Sequence, residues 1–163
     1  MKKRILAILL VVLVIGLVVS CDESASSGGG GSSGSVTLSP PSWIQGAWEA
    51  TWKEDVDDGE GGTVNTDMTV TFTFSSDNII FSVVASTYFN ESVNFKVDGV
   101  TAGVTITDTK ESATVYKVQI VDTDETETYT FTDTSATTLG VSITTVSTDY
   151  GSDTETMSLT KKP

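Results

Sequence analysis

A chain of 163 residues with one Cys, no His and a formal net charge of −13 excludes several things at the outset. One Cys permits no intrachain disulfide, and the lack of His removes the commonest general base and the commonest zinc ligand. The acidic balance repels nucleic acid and anionic headgroups, so no nucleic-acid partner is expected.

The chain opens with a basic cap, Met1-Lys2-Lys3-Arg4, followed by an apolar run from Ile5 to Val19. About 15 residues at ~1.5 Å each make a helix too short for a ~30 Å hydrocarbon core. Residues 1–20 therefore read as a secretory signal peptide. The run ends Val18-Val19-Ser20-Cys21, which resembles the bacterial lipobox of aliphatic, small and then invariant Cys residues. That resemblance implies cleavage before Cys21, lipidation of Cys21 (palmitate or a similar acyl chain) and a lipoprotein anchored to the membrane of the cell envelope. Two or three acyl chains, at about 0.8 kcal/mol per buried CH₂, hold a protein stably on a bilayer. The outer membrane is the expected address; Asp22, after the Cys, matches the enterobacterial signal for inner-membrane retention and leaves that open. Cleavage would leave six Lys and no Arg against 22 acids, a net charge of −16.

Residues 21–42 are Ser/Gly-rich around Gly28-Gly29-Gly30-Gly31 and read as a flexible tether. Pro40-Pro41 stiffens its end. The folded domain is expected over residues 43–163. It opens on a stretch that holds all three Trp of the chain, Trp43, Trp48 and Trp52. This reads as a first strand whose indoles form the domain's floor.

From there Thr and Val dominate, and the apolar period is two. Met68-Val70-Phe72-Phe74 alternates with Thr69-Thr71-Thr73, the pattern of a half-buried strand. Further strands are predicted around Ile79–Val84, Val93-Phe95-Val97, Val104-Ile106, Tyr116-Val118-Ile120, Tyr129-Phe131, Leu139-Val141-Ile143 and Met157-Leu159. Polar turn clusters separate them. Many short strands at regular spacing imply a sandwich or barrel. Short connections favour sequential hairpins, and closure removes exposed edges. The expected fold is all-β: a single antiparallel up-and-down β-barrel of about eight strands, with a β-sandwich as the alternative. Phe72, Phe74, Phe81, Tyr116, Val118, Tyr129 and Phe131 are expected to face inward and fill it. At most a shallow apolar cup is left at the end opposite Trp48, under a loop from Glu54 to Thr66.

Gly46-Ala47-Trp48 resembles the G-x-W signature on the first strand of lipocalins. In that family the Trp closes the barrel floor and a basic residue of the last strand packs across it. Lys161 shares the parity of Met157 and Leu159, so the resemblance implies a barrel-floor pair of Trp48 and Lys161. The opening as a whole is similar to that of small bacterial lipocalin-like lipoproteins. Here a Lys stands where the family has Arg, and about 120 residues is short for a large ligand cavity.

No other constellation carries chemistry. Asp55, Asp57, Asp58 and Glu60 crowd one loop, but Gly59 and Glu60 break the EF-hand spacing, and a solvated loop is expected rather than a calcium site. Asp122, Asp124, Glu125 and Glu127 read as a charged, solvated hairpin end. No Ser or Thr has a His partner or a nucleophile-elbow sequence. Neither enzyme activity, cofactor nor metal is expected. The expected protein is a monomeric envelope lipoprotein with a structural or surface-interaction role; the alternative is a binding module for a small apolar ligand.

Overall fold

The computed structural model describes residues 34–57, 62–85 and 89–163. The signal peptide, Cys21, Asp22 and the acidic positions Asp58 and Glu60 lie outside them. The described chain is all-β apart from one short helix. Its strands are β1 (Ser35–Thr37), β2 (Gly46–Asp57), β3 (Thr63–Phe74), β4 (Ile79–Ala85), β5 (Phe89–Asn94), β6 (Thr105–Lys110), β7 (Val115–Val121), β8 (Glu125–Ser135), β9 (Thr138–Ser147) and β10 (Gly151–Lys161). The helix, α1, spans Phe95–Ala102.

All ten strands belong to one sheet, in the order β1-β6-β7-β8-β9-β10-β2-β3-β4-β5. Each neighbouring pair is antiparallel except β1 with β6. The sheet nevertheless folds over. In a flat sheet β3 and β8, four places apart, would be about 19 Å from each other at ~4.8 Å per strand. Instead the rings of Phe72 on β3 and Phe131 on β8 have centroids 5.4 Å apart. Phe74 meets Phe131 at 5.0 Å, and Phe72 meets Tyr129 at 6.2 Å. The inward parity of Phe72, Phe74, Phe81, Tyr116, Val118, Tyr129 and Phe131 explains this, because all seven are buried in one core. The described strands and the core they enclose lie within residues 34–163, so this part of the chain carries its own interior.

Four features depart from the sequence reading. First, β1 and β5 are free ends of the sheet, so hydrogen bonding does not close it into the expected barrel, and the described residues hold ten strands rather than about eight. Second, Val93-Phe95-Val97 is not one strand: β5 stops at Asn94 and α1 begins at Phe95. The local chemistry favours the helix. The Asn94 side chain accepts from the N–H groups of Lys96 and Val97, and Asp98 accepts from the N–H of Asn94 at 2.6 Å. At the other end Gly103 adopts φ +75°, and the N–H groups of Gly103 and Val104 donate to the carbonyls of Val100 and Gly99. Phe95 stays in the core, with its ring 5.8 Å from that of Tyr129.

Third, the far end of the tether is not free. Ser35, Val36 and Thr37 pair with Thr105, Ile106 and Thr107 on β6. Beyond them Asp108 accepts from the Ser39 N–H at 2.6 Å and from the Tyr116 hydroxyl at 2.9 Å, which ties this segment to the sheet. Fourth, the expected lid from Glu54 to Thr66 is mostly a paired hairpin, with register Glu54↔Thr66 through Asp57↔Thr63.

Candidate functional site

The Trp48 end is built from the start of β2 and the end of β10. Pro41 to Gln45 makes a turn, with the Ile44 N–H donating to the Pro41 carbonyl at 3.1 Å. Gly46 then enters the strand at φ +111°, a conformation that side chains with a Cβ rarely adopt. This bend drops Trp48 into the core, where it is 2% exposed, and aims its indole N–H at the Ile44 carbonyl 2.6 Å away. Trp48 pairs in register with Phe72 on one side and Lys161 on the other. Lys161 Nζ lies over the indole, 5.0 Å from its centroid. The structure thus brings together the two residues that the lipocalin resemblance pairs. Lys161 is exposed, so its stem covers the ring while its head stays in water. Next along, the Lys162 N–H donates to the Ala47 carbonyl and its ammonium pairs with Glu49 at 2.7 Å. Trp52 does not share this floor. Trp43 and Trp52 are only partly buried against the core, and Trp52 pairs with Met68, two inward rows towards the opposite end.

At that opposite end the inward row of β8 continues from Phe131 and Tyr129 to Glu127 and Glu125. Glu127 is 6% exposed. Its Oε2 accepts from the Tyr129 hydroxyl at 3.1 Å, while its Oε1 has no hydrogen-bond partner among the described residues. Glu125 Oε1 is likewise buried and unpartnered. Burial pushes the Glu127 carboxyl up to about 8; the Tyr129 hydrogen bond opposes this and the Glu125 charge adds to it. Glu125 is raised too, by burial first and then by Asp122. The buried Tyr129 hydroxyl is pushed above its usual range by burial and by Glu127. At neutral pH Glu127 is therefore mostly an uncharged acid, because the desolvation cost of a charge here exceeds what one tyrosine donor returns.

The solvated hairpin end expected over Asp122 to Glu127 is thus only half right. The turn closes with the Asp122 N–H donating to Glu125 O at 2.9 Å, and Asp122 and Asp124 are exposed. Glu127 is not part of it. Extending the Tyr129-Phe131 alternation back by two residues would have identified it as inward. Asp55 lies on β2 and accepts from Asn65 Nδ2 at 2.8 Å. Among the described residues no three acids, Cys or His come together as a metal site, and no helix is long and apolar enough to cross a membrane. Comparison of the chain with protein-family models, curated proteins and solved structures found no match.

Proposed function

We propose that this protein is a lipid-anchored lipoprotein of the bacterial envelope, held through Cys21, whose lipocalin-like barrel serves a structural or surface-interaction role. The anchor rests on the basic cap, short apolar core and Val18-Val19-Ser20-Cys21 ending. The barrel reading rests on the strand order. The last strand, β10, pairs with β2 as an up-and-down barrel requires, and the remaining opening lies between the two free edge strands β5 and β1, where α1 packs.

The observation that carries the role is the filled interior. Phe72, Tyr116, Tyr129 and Phe131 are each 0% exposed, and Phe81 is 1% exposed. Phe72 meets Phe131 across the folded sheet, Phe81 packs beside Phe72, and Tyr116 and Tyr129 lie beside Phe131, which leaves the middle of the barrel to side chains rather than to a large apolar ligand.

Two results test this reading. Cys21→Ser should abolish labelling by radioactive fatty acid and leave the leader uncleaved; a mutant labelled and processed as before removes the anchor. The purified domain should carry no lipid; a stoichiometric lipid or pigment would instead establish the apolar-ligand module.

A further inference from the structure

We propose that the end of the interior holding Glu127 is a binding site for an organic ammonium ion, with Glu127 Oε1 as the acceptor of its N–H. The observation behind this is an unmet one. A buried carboxyl oxygen with no partner is costly, and buried polar atoms in folded proteins are nearly always satisfied. Here two such oxygens, on Glu127 and Glu125, project from the same face of one strand.

Among the described residues no cation is placed beside them. Of the lysines beyond the leader, Lys53 pairs with Asp67, Lys96 with Asp77, Lys117 with Glu111 and Lys162 with Glu49. Lys161 covers Trp48, and Lys110 is exposed opposite Tyr116, towards the Trp48 end. The groups facing Glu127 from neighbouring strands are Ile120 on β7 and Thr145 on β9, neither of them charged. One strand further, Glu155 and Asp153 on β10 stand opposite Ile143 and Thr145, and on β2 Glu54 shares the inward parity of Trp52. Phe95 of α1 reaches Tyr129, but the charges of that helix are engaged elsewhere: Asp98 with the Asn94 N–H and Lys96 with Asp77. Among the described residues, every charge on the inward rows at this end is therefore negative.

The surroundings select the kind of cation. A hard metal ion needs several converging oxygens, and no three acids converge among the described residues. An ammonium needs one desolvated acceptor and an apolar wall for its carbon chain. Ile120, Ile143 and Tyr129 offer that wall: Ile120 is in register with Glu127, Tyr129 is next on its own row, and Ile143 is in register with Tyr129. The net charge of the chain draws cations to it. Binding exchanges one cation for another: where Glu127 starts protonated, the incoming ammonium displaces that proton to solvent.

The test is calorimetric titration of the chain from Asp22 to Pro163, which keeps every described strand and the described core, with primary alkylammonium ions from butyl to octyl. The expected result is saturable binding that Glu127→Gln weakens by about tenfold or more. Glu111→Gln, which removes the same charge at the surface, should change it by less than about twofold. Octanol and octanoate should not bind. In buffers of differing ionisation heat, uptake at about pH 6.5 should release close to one proton in the wild type and none in Glu127→Gln. The proposal is overturned if no alkylammonium binds, if Glu127→Gln binds as the wild type does, or if octanol binds as well as octylammonium. Glu127→Gln keeps the shape and the Tyr129 acceptor, so its fold, checked by circular dichroism, is expected to be intact.

Discussion

Trp48 and Glu127 lie on inward rows at opposite ends of one folded sheet, and each carries a polar group into the interior. The indole N–H of Trp48 meets the Ile44 carbonyl at 2.6 Å, and Lys161 lies across its face. Glu127 has Tyr129 on one oxygen and no partner among the described residues on the other. Strand alternation carries a residue inward regardless of its chemistry. Whether the polar group is then satisfied depends on what the neighbouring strands bring beside it. At the Trp48 end, β10 brings a lysine and the turn before β2 brings a carbonyl. At the Glu127 end, the neighbouring strands bring Ile120 and Thr145.

The largest expected effect sharpens the part that both ends share. Phe72 contacts Phe74, Phe81, Tyr129 and Phe131, and no part of it is exposed. Phe72→Ala should therefore destabilise the domain by about 3–5 kcal/mol in a denaturant titration. A change under about 1 kcal/mol would mean that the two halves of the sheet do not pack through this ring. A smaller effect isolates the Trp48 end. Lys161→Met keeps the stem over the indole and removes only the cation. Because Lys161 is exposed, the loss should be about 0.5–1 kcal/mol, reduced by salt.

Much of this comparison was legible in the residues. Parity alone put Phe72, Phe81, Tyr129 and Phe131 in the core, and the G-x-W resemblance paired Trp48 with Lys161. The helix was hidden because Val93-Phe95-Val97 continues a strand's alternation; only the Asn94 cap and Gly103 announce the change of conformation. β1 was hidden because Ser35-Val36-Thr37 is no more apolar than the tether around it, and its order comes from β6 and Asp108, some 70 residues away. Glu127 was hidden by its company. Beside Asp122, Asp124 and Glu125 it reads as one more solvated acid, although its spacing from Tyr129 and Phe131 places it inside.

The most direct test of the contrast between the two ends is the pH dependence of stability in the wild type and in Glu127→Gln. The folded state holds the Glu127 proton up to about pH 8, whereas an unperturbed glutamate releases it near 4.3. Over that window the folded chain binds more protons than the unfolded one, so stability must fall as pH rises. The stability that protonation supplies is complete below about pH 4 and gone above about pH 8, a loss on the order of 3–5 kcal/mol at ~1.4 kcal/mol per pKa unit. Glu125 adds to the fall in the same direction. Unfolding free energies measured between about pH 4 and 9 should show this decline in the wild type and most of it removed in Glu127→Gln. A wild-type profile that is flat across the window, or an equal decline in both proteins, would contradict a carboxyl buried with one oxygen unpartnered.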